Sequence, residues 1–436
     1  MKEKIIYFVH CVDAEGPLYE SLDATFERVK STFGIDIAAS KENLNKLRRG
    51  EGLPLDLQDL VSEFVSEKRL NYNPTWDDVE RMVDKIMSPK WRNTFCDDFG
   101  RGYVFNWFAM DHVGFQINPR RRSVGYHTLY DFYASKIKEH NSIYDEIQWH
   151  YHPPSYFGEG HKCSNNFFNS SEHLNILSQR IIDRKWFPSA FRPGQHTERP
   201  DINLFLELWI PFDYGNQGML EDSSINKQKD VSEGRFGDWR RATTEWEIYN
   251  PDFYDYQVSG KAKRHIARCL NLNARIRAIN EYEVEKGFMR AQEGKSTIIS
   301  VTDHDERAME PGIENCYALM RKVQKKYPDV KIKNTGAREA MRLALNLTPL
   351  PPISFDVALN DNVLQIKTNR KCWGPQPFFC FKTKGMTYIH ENLDYHGGTH
   401  WSFTFDENSI ALDNVDSIGL ATNDEYGNNS IWTKKI

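Results

Sequence analysis

Two histidines stand two positions apart in Trp149-His150-Tyr151-His152, at the end of an apolar run over residues 143–149. In an extended segment residues i and i+2 project from one face, so His150 and His152 point the same way. Pro153 and Pro154 follow and stop the strand there. Two imidazoles converging from one strand end can share a divalent ion; the plainer alternative is a pair of half-exposed loop histidines. Carboxylates for such a site stand at Asp13 and Glu15, directly after another apolar run and ahead of Gly16-Pro17, which argues against a helix cap. His150, His152 and one of these two carboxylates form a donor set that suits Zn2+, with Ni2+ or Co2+ also fitting. A zinc-bound water of pKa about 7 is a nucleophile for amide hydrolysis, and the second carboxylate could take its proton. His304, with an imidazole that titrates near neutrality, could protonate a departing amine. Its plain alternative is a hydrogen-bonded surface histidine within Asp303-His304-Asp305. Arg192 could orient the base or hold substrate, or simply make a structural ion pair. Asp111 and His112 end a further apolar run and are candidates for substrate contact or auxiliary ligation, with Trp149 and Tyr151 as ring contacts for substrate. If the two-residue histidine spacing misleads, Asp111, His112 or His161 would supply the missing ligand.

These residues need strands to deliver them. Residues 4–12, 103–110, 143–149 and 296–301 read as buried strands, and shorter ones lie at 190–191, 212–215 and 330–332. Helical patterns at 128–140, 171–184, 202–208, 312–326 and 336–346 alternate with them. Strand, polar residues and helix repeat six or seven times, the pattern of an α/β parallel barrel or doubly wound sheet, and charges at several strand ends favour the barrel. Residues 18–100 read as mainly helical, with Thr75 capping 77–86; about 80 residues exceed a minimal crossover, so an insertion roofing the site is expected. Residues 260–292 read as one long helical region from the spacing of Ile266, Leu270, Ile276 and Ile279, and the polar, loop-rich residues 220–258, with Trp239 and Trp246, as a rim to the cleft. Near Leu347 the texture changes to short alternating stretches at 353–359, 363–368, 378–383, 399–405 and 417–422. The expected division is an α/β barrel over 1–347 and a small antiparallel β-sandwich over 348–436. The sandwich is expected to serve substrate docking or oligomer contact, and the barrel to fold without it.

Composition excludes several classes. A net charge of −5, with Arg120-Arg121-Arg122 as the one compact basic triplet, argues against a nucleic-acid partner. Seven scattered cysteines with no CxxC pair point to reduced thiols and a cytoplasmic setting. The opening residues lack a signal-peptide cleavage pattern, and no apolar run of about 18 residues could cross a membrane. Aromatic residues make up 13% of the chain, which suits a large core and also a cleft that binds sugars on flat rings. No glycine-rich phosphate loop or GxGxxG is present, so a nucleotide-handling enzyme ranks last.

Taken together, Cys11-Val12-Asp13-Ala14-Glu15-Gly16, Glu146-Ile147-Gln148-Trp149-His150, Phe191-Arg192-Pro193-Gly194 and the stretch ending in His304 resemble, in order, four motifs of the polysaccharide deacetylases of carbohydrate esterase family four. The resemblance spans residues 5 to about 345. It implies an incomplete (β/α)7 barrel, an aspartate base at Asp13, metal ligation by Glu15 and a histidine, and a catalytic histidine at His304. It also implies action on amino sugars, in the manner of divergent members in surface-polysaccharide and O-antigen assembly. Two departures stand out: Asp-Ala-Glu replaces adjacent acids, and the histidines are two rather than four apart, with Pro154 at the position of the second. The altered motif keeps a rival reading alive, a non-catalytic carbohydrate-binding or scaffolding protein on a degenerate barrel.

Overall fold

Strand β1 (Ile5–Ala14) is the strand on which the rest of the sheet is assembled, as a computed structural model of the protein shows. The structure describes residues 3–112, 127–154, 166–168, 171–220, 237–348 and 350–436, with His112 described in its backbone alone. His161 lies outside the described residues. β1 is followed by β2 (Phe105–His112), β3 (Glu146–His152), β4 (Ala190–Pro193), β5 (Phe212–Asn216), β6 (His265–Asn271) and β7 (Thr297–His304), each parallel to the one before. β7 and β2 both pair with β1, so seven parallel strands close into a barrel. β8 (Lys331–Asn334) pairs with residues 5–8 of β1, while β2 takes residues 10–14 on the same side.

Alternation along β1 sorts its side chains. Ile6, Phe8, Val12 and Ala14 join the large cluster formed with the surrounding helices, whereas Val9 and Cys11 join a second cluster with Phe108, Tyr214, Ala267 and Cys269 from across the barrel. Asp13 shares the parity of that second, inward set.

The helical stretch between β1 and β2 divides in two. Helices Leu22–Phe33, Lys41–Arg48 and Gln58–Phe64 bury a small core of their own around Phe26, Phe33, Leu47 and Phe64. Helix Trp76–Met87, capped as expected by Thr75, instead gives Val79, Val83 and Ile86 to the barrel cluster. Asn73 joins the two parts to the barrel: it accepts from Leu18 N–H at 2.9 Å and donates to Glu306 O at 2.7 Å and Asp305 O at 2.9 Å.

Two expectations fail here. Residues 260–292 are not one helical region: they hold β6, a connecting loop and helix Glu281–Gln292. β6 is buried on both faces, so its residues are apolar or paired throughout, and Ile266 and Leu270 mimic helical spacing. Trp239 and Trp246 do not form a rim. Both are buried, and their indole N–H groups donate to His196 O at 2.8 Å and Glu283 O at 2.7 Å.

The C-terminal part is two four-stranded antiparallel sheets, β13-β14-β10-β9 and β12-β11-β15-β16, whose edge strands are β9 (Phe355–Asn360), β12 (Tyr388–Glu391), β13 (Asp394–Tyr395) and β16 (Asn429–Lys435). Strands β10 (Val363–Thr368), β11 (Phe378–Thr383), β14 (His400–Thr404) and β15 (Val415–Asn423) supply the sandwich core, including Ile366, Phe379, Phe403 and Leu420. A further cluster crosses to the barrel: Phe378, Cys380 and Ala421 pack with Ile181, Phe187 and Trp209.

Candidate metal centre

The carboxyl ends of β1, β3, β4 and β7 meet at one level. Asp13 lies opposite His304 across the β1–β7 pair, and His150 lies opposite Arg192 across β3–β4. On β3 the period of two turns His150 and His152 together, and it sends Trp149 and Tyr151 to the other face.

Glu15 follows β1 directly, and its backbone is held from β7. The Asp305 carboxylate accepts from Glu15 N–H at 2.8 Å and Gly16 N–H at 3.0 Å, and the Tyr133 hydroxyl donates to it at 2.6 Å. Gly16 sits at φ 74°, in the left-handed region, where a Cβ would also press within 3.1 Å of Leu129. The Glu15 carboxylate then lies 3.6 Å from His150 Nε2 and 3.5 Å from His152 Nε2, and the two imidazole nitrogens are 3.0 Å apart. Donors bound at about 2.1 Å to one ion stand about 3–3.4 Å from each other, so this spacing fits a divalent metal.

The imidazoles are prepared for the role. His150 Nδ1 is 3.0 Å from Arg192 O. A carbonyl can only accept, so the proton sits on Nδ1 and Nε2 presents its lone pair toward Glu15. Burial lowers the His150 pKa to about 4, which keeps the ring neutral at pH 7. Behind His152 lies Gly194, where a Cβ would meet the imidazole at 2.6 Å. Among the described residues one other His/carboxylate group has ligand spacing, Asp84, Glu139 and His140. There the Lys136 ammonium already lies 2.8 Å from Asp84 and 3.0 Å from Glu139, so the positive charge is supplied.

Asp13 and Arg192 form a buried pair beside the triad. The guanidinium grips both carboxylate oxygens at 2.6 and 3.0 Å and donates to Tyr214 O at 2.6 Å, while Thr302 adds a bond to Asp13 at 3.1 Å. Burial alone would raise the Asp13 pKa, but Arg192, helped by His150 and His304, holds it well below the usual carboxylate range. His304 Nε2 lies 3.9 Å from Asp13 and 3.8 Å from Glu15, and its side chain is 29% exposed. It faces a cleft of about 420 Å³ lined also by Asp13, Glu15, His150 and His152.

Six of the expected site residues therefore come together: Asp13, Glu15, His150, His152, Arg192 and His304. Asp111, Trp149 and Tyr151 do not. Asp111 accepts from Trp149 Nε1 at 2.8 Å and pairs with buried Arg180 at 2.6 Å, behind the strand. Trp149 and Tyr151 pack with Phe167, Phe191 and Phe205 in the layer under the helices. The same alternation that turns two histidines inward turns their neighbours away from the cleft.

Residues not singled out from the sequence also belong to the centre. His196, Asn273 and Asp303 line the cleft. Burial raises the Asp303 pKa to about 6, although His304 N–H at 2.9 Å and Asn273 at 3.0 Å both donate to it. Asp305, read only as a neighbour of His304, fixes the Glu15 turn. The one sequence signal for Asp303 and Asp305 is the cluster Asp303-His304-Asp305 itself.

No known protein family matches the chain, and no curated protein matches it. A crystal structure provisionally named a glycoside hydrolase/deacetylase, from Parabacteroides distasonis, is similar over 99% of this chain and 84% of that one, with a TM-score of 0.37 and 8% identity. A double mutant of the Cellulomonas fimi endo-β-1,4-mannanase is similar over 77% of this chain and 86% of that one, with a TM-score of 0.25 and 10% identity. Likeness at that level carries no argument about activity, so the centre is read from its own geometry.

Proposed function

We propose that the chain is a metal-dependent hydrolase that removes an N-acyl group, acetyl in its simplest form, from an amino-sugar unit. The observation that supports this reading is the Glu15–His150–His152 triad beside the Asp13–Arg192 pair, open to a cleft. A divalent ion held there, with zinc favoured by the donor set, would activate a water and polarise the amide carbonyl. The residues divide the remaining work. Asp13, kept anionic by Arg192, accepts the proton of the attacking water. His304, 3.9 Å from Asp13 and 3.8 Å from Glu15 and reached by solvent, delivers a proton to the nitrogen as the C–N bond breaks. The acyl group leaves as a carboxylate and the sugar keeps a free amine. The resemblance of the motifs extends the reading to a unit of surface polysaccharide or lipopolysaccharide O-antigen. The 348–436 sandwich is read as the accessory part.

Metal analysis of the purified protein, with acetate release from N-acetylhexosamine substrates before and after chelation, tests the reading. One equivalent of metal, and acetate release that disappears with chelator and returns with Zn2+, are expected. A folded protein that binds no added Zn2+ would reject the hydrolase and leave the carbohydrate-binding alternative.

A further inference from the structure

The cleft does not end at the metal centre. Its outer lining comes from the small helical core after β1, through Arg28, Phe64, Lys68 and Arg69, and from the loops after β6 and β7, through Arg275 and Arg307. Among the described residues, five cationic side chains line the mouth; Glu306, the one lining carboxylate apart from Asp13, Glu15 and Asp303 of the centre, pairs with Arg307. The whole chain has the opposite balance, 61 acidic residues against 56 basic. The concentration of positive charge is therefore local.

The groups are also positioned. The Arg28 and Arg275 guanidiniums lie 4.5 and 5.4 Å from the centre of the Phe64 ring, brought there from opposite sides of the cleft. Arg307 lies 4.3 Å from the centre of the Tyr72 ring and donates to Arg69 O at 3.0 Å. Glu20 and Glu63, outside the cleft lining, anchor Arg28 at 2.6 Å and Arg69 at 2.8 Å. Arg28 meets Glu20 and Tyr72 through a single guanidinium nitrogen, which leaves its other N–H groups for a ligand. With Arg28, Arg69 and Arg307 paired to Glu20, Glu63 and Glu306, Lys68 and Arg275 add the excess positive charge, which suits an anionic group.

We infer that the substrate carries a diphosphate on the amino sugar, bound at this arginine-lysine mouth while the N-acyl group reaches the metal centre. Guanidinium forks match phosphate oxygens two at a time, and a group with two or more charges suits several cations better than a single carboxylate does. The inference rests on the amino-sugar reading above. The diphosphate could join the sugar to a nucleoside or to a lipid carrier, since both present the same group.

Calorimetric titration of full-length, Zn2+-loaded protein tests this. The probes are N-acetylglucosamine, its uridine diphosphate ester, its short-chain prenyl diphosphate ester and N-acetylglucosaminuronic acid. Both diphosphates are expected to bind about tenfold to a hundredfold more tightly than the neutral sugar, with affinity falling as salt rises. A preference between them identifies the carrier. Lys68→Glu, at an exposed position, and Arg275→Gln should each reverse most of that gain and raise KM with kcat nearly unchanged. Equal binding of neutral and diphosphate sugars, tighter binding of the uronic acid than of either diphosphate, or variants that bind like the parent would overturn the inference. Diphosphate binding without acetate release would keep the mouth and remove the hydrolase. Acetate release equal from every sugar and in both variants would keep the hydrolase and remove the mouth.

Discussion

His304 stands close to both carboxylates of the centre yet outside the triad, and this placement separates its role from that of the other two histidines. His150→Ala and His152→Ala should each abolish metal binding and activity. His304→Ala should retain the metal and lose about 10²–10⁴-fold in rate, the usual contribution of a general acid. Metal content of the three purified variants decides it; full occupancy in His152→Ala would mean that another ligand completes the site. Asp305 is a positioning residue, because its carboxylate accepts from the turn that carries Glu15 and from the Tyr133 hydroxyl. Asp305→Ala should weaken metal affinity by about 10–100-fold, as removal of an outer partner does. Asp305→Asn keeps one carbonyl oxygen for the two amides and should recover part of that affinity in the same metal titration. The inward residues are legible because strand alternation and chemical type agree at Asp13, His150, His152, Arg192 and His304. Trp149, Tyr151 and Asp111 fall away because closeness in sequence is not closeness in space, and the parity of the strand sets them on its other face. The bonds to Asp305 cross 290 positions, and no local pattern encodes them.

At the scale of elements, β6 is the instructive strand. Arg268 in its middle is buried, donates to Glu283 at 2.6 Å and Gly218 O at 2.6 Å, and lies 4.7 Å from the centre of the Trp246 ring. An arginine among Ala267, Cys269 and Leu270 imitates one polar side of a helix, whereas a buried ion pair lets a strand hide a charge. Arg268→Ala would leave the Glu283 carboxylate buried without its main partner, which costs about 3–5 kcal/mol. Lys286, 3.4 Å from the same carboxylate, puts the loss toward the lower end. A denaturant titration should show the midpoint fall with little change in slope. Strands β1, β2, β3 and β7 announce themselves through β-branched and aromatic runs. In the sandwich, β12 (Tyr388–Glu391) and β16 (Asn429–Lys435) escape a sequence reading because they are short or polar on their exposed sides.

Across the whole molecule, the change of texture near Leu347 marks a change of architecture. The hydrophobic cluster shared by Trp209, Phe187, Phe378 and Ala421 is continuous across it. Removing residues 348–436 would uncover that apolar layer, so the shortened chain should aggregate, contrary to the expectation that the barrel folds without the sandwich; the soluble fraction after expression measures it. Acid should loosen the protein as well. Burial lowers the pKa of His10 and His173 to about 3 and of His265 and His390 to about 4, below the unfolded value of 6.5. Below pH 6.5 the unfolded chain takes up these protons before the folded one does. Stability then falls by up to about 1.4 kcal/mol for each pH step between the unfolded and folded pKa of a group. Asp303, raised to about 6, acts oppositely, as do Asp111 and Asp213, which burial also raises, but burial lowers His127, His150 and His196 as well, so the histidines outnumber the carboxyls. Melting temperature should therefore decline from about pH 6.5 down to pH 4, read by calorimetry across that range. Closure of the barrel on its first strand has a consequence for the order of assembly. β1 needs β2 on one side and β7 on the other, and β8 completes its lower half. With synthesis at about 5–20 residues per second, β1 leaves the ribosome roughly 15–60 s before β7 exists. For that interval its edge on the β7 side has no neighbour, and His304 cannot join Asp13, Glu15 and the two histidines. A chain built this way carries an unfinished barrel through most of its synthesis, and the residues of its candidate centre meet only when β7 arrives.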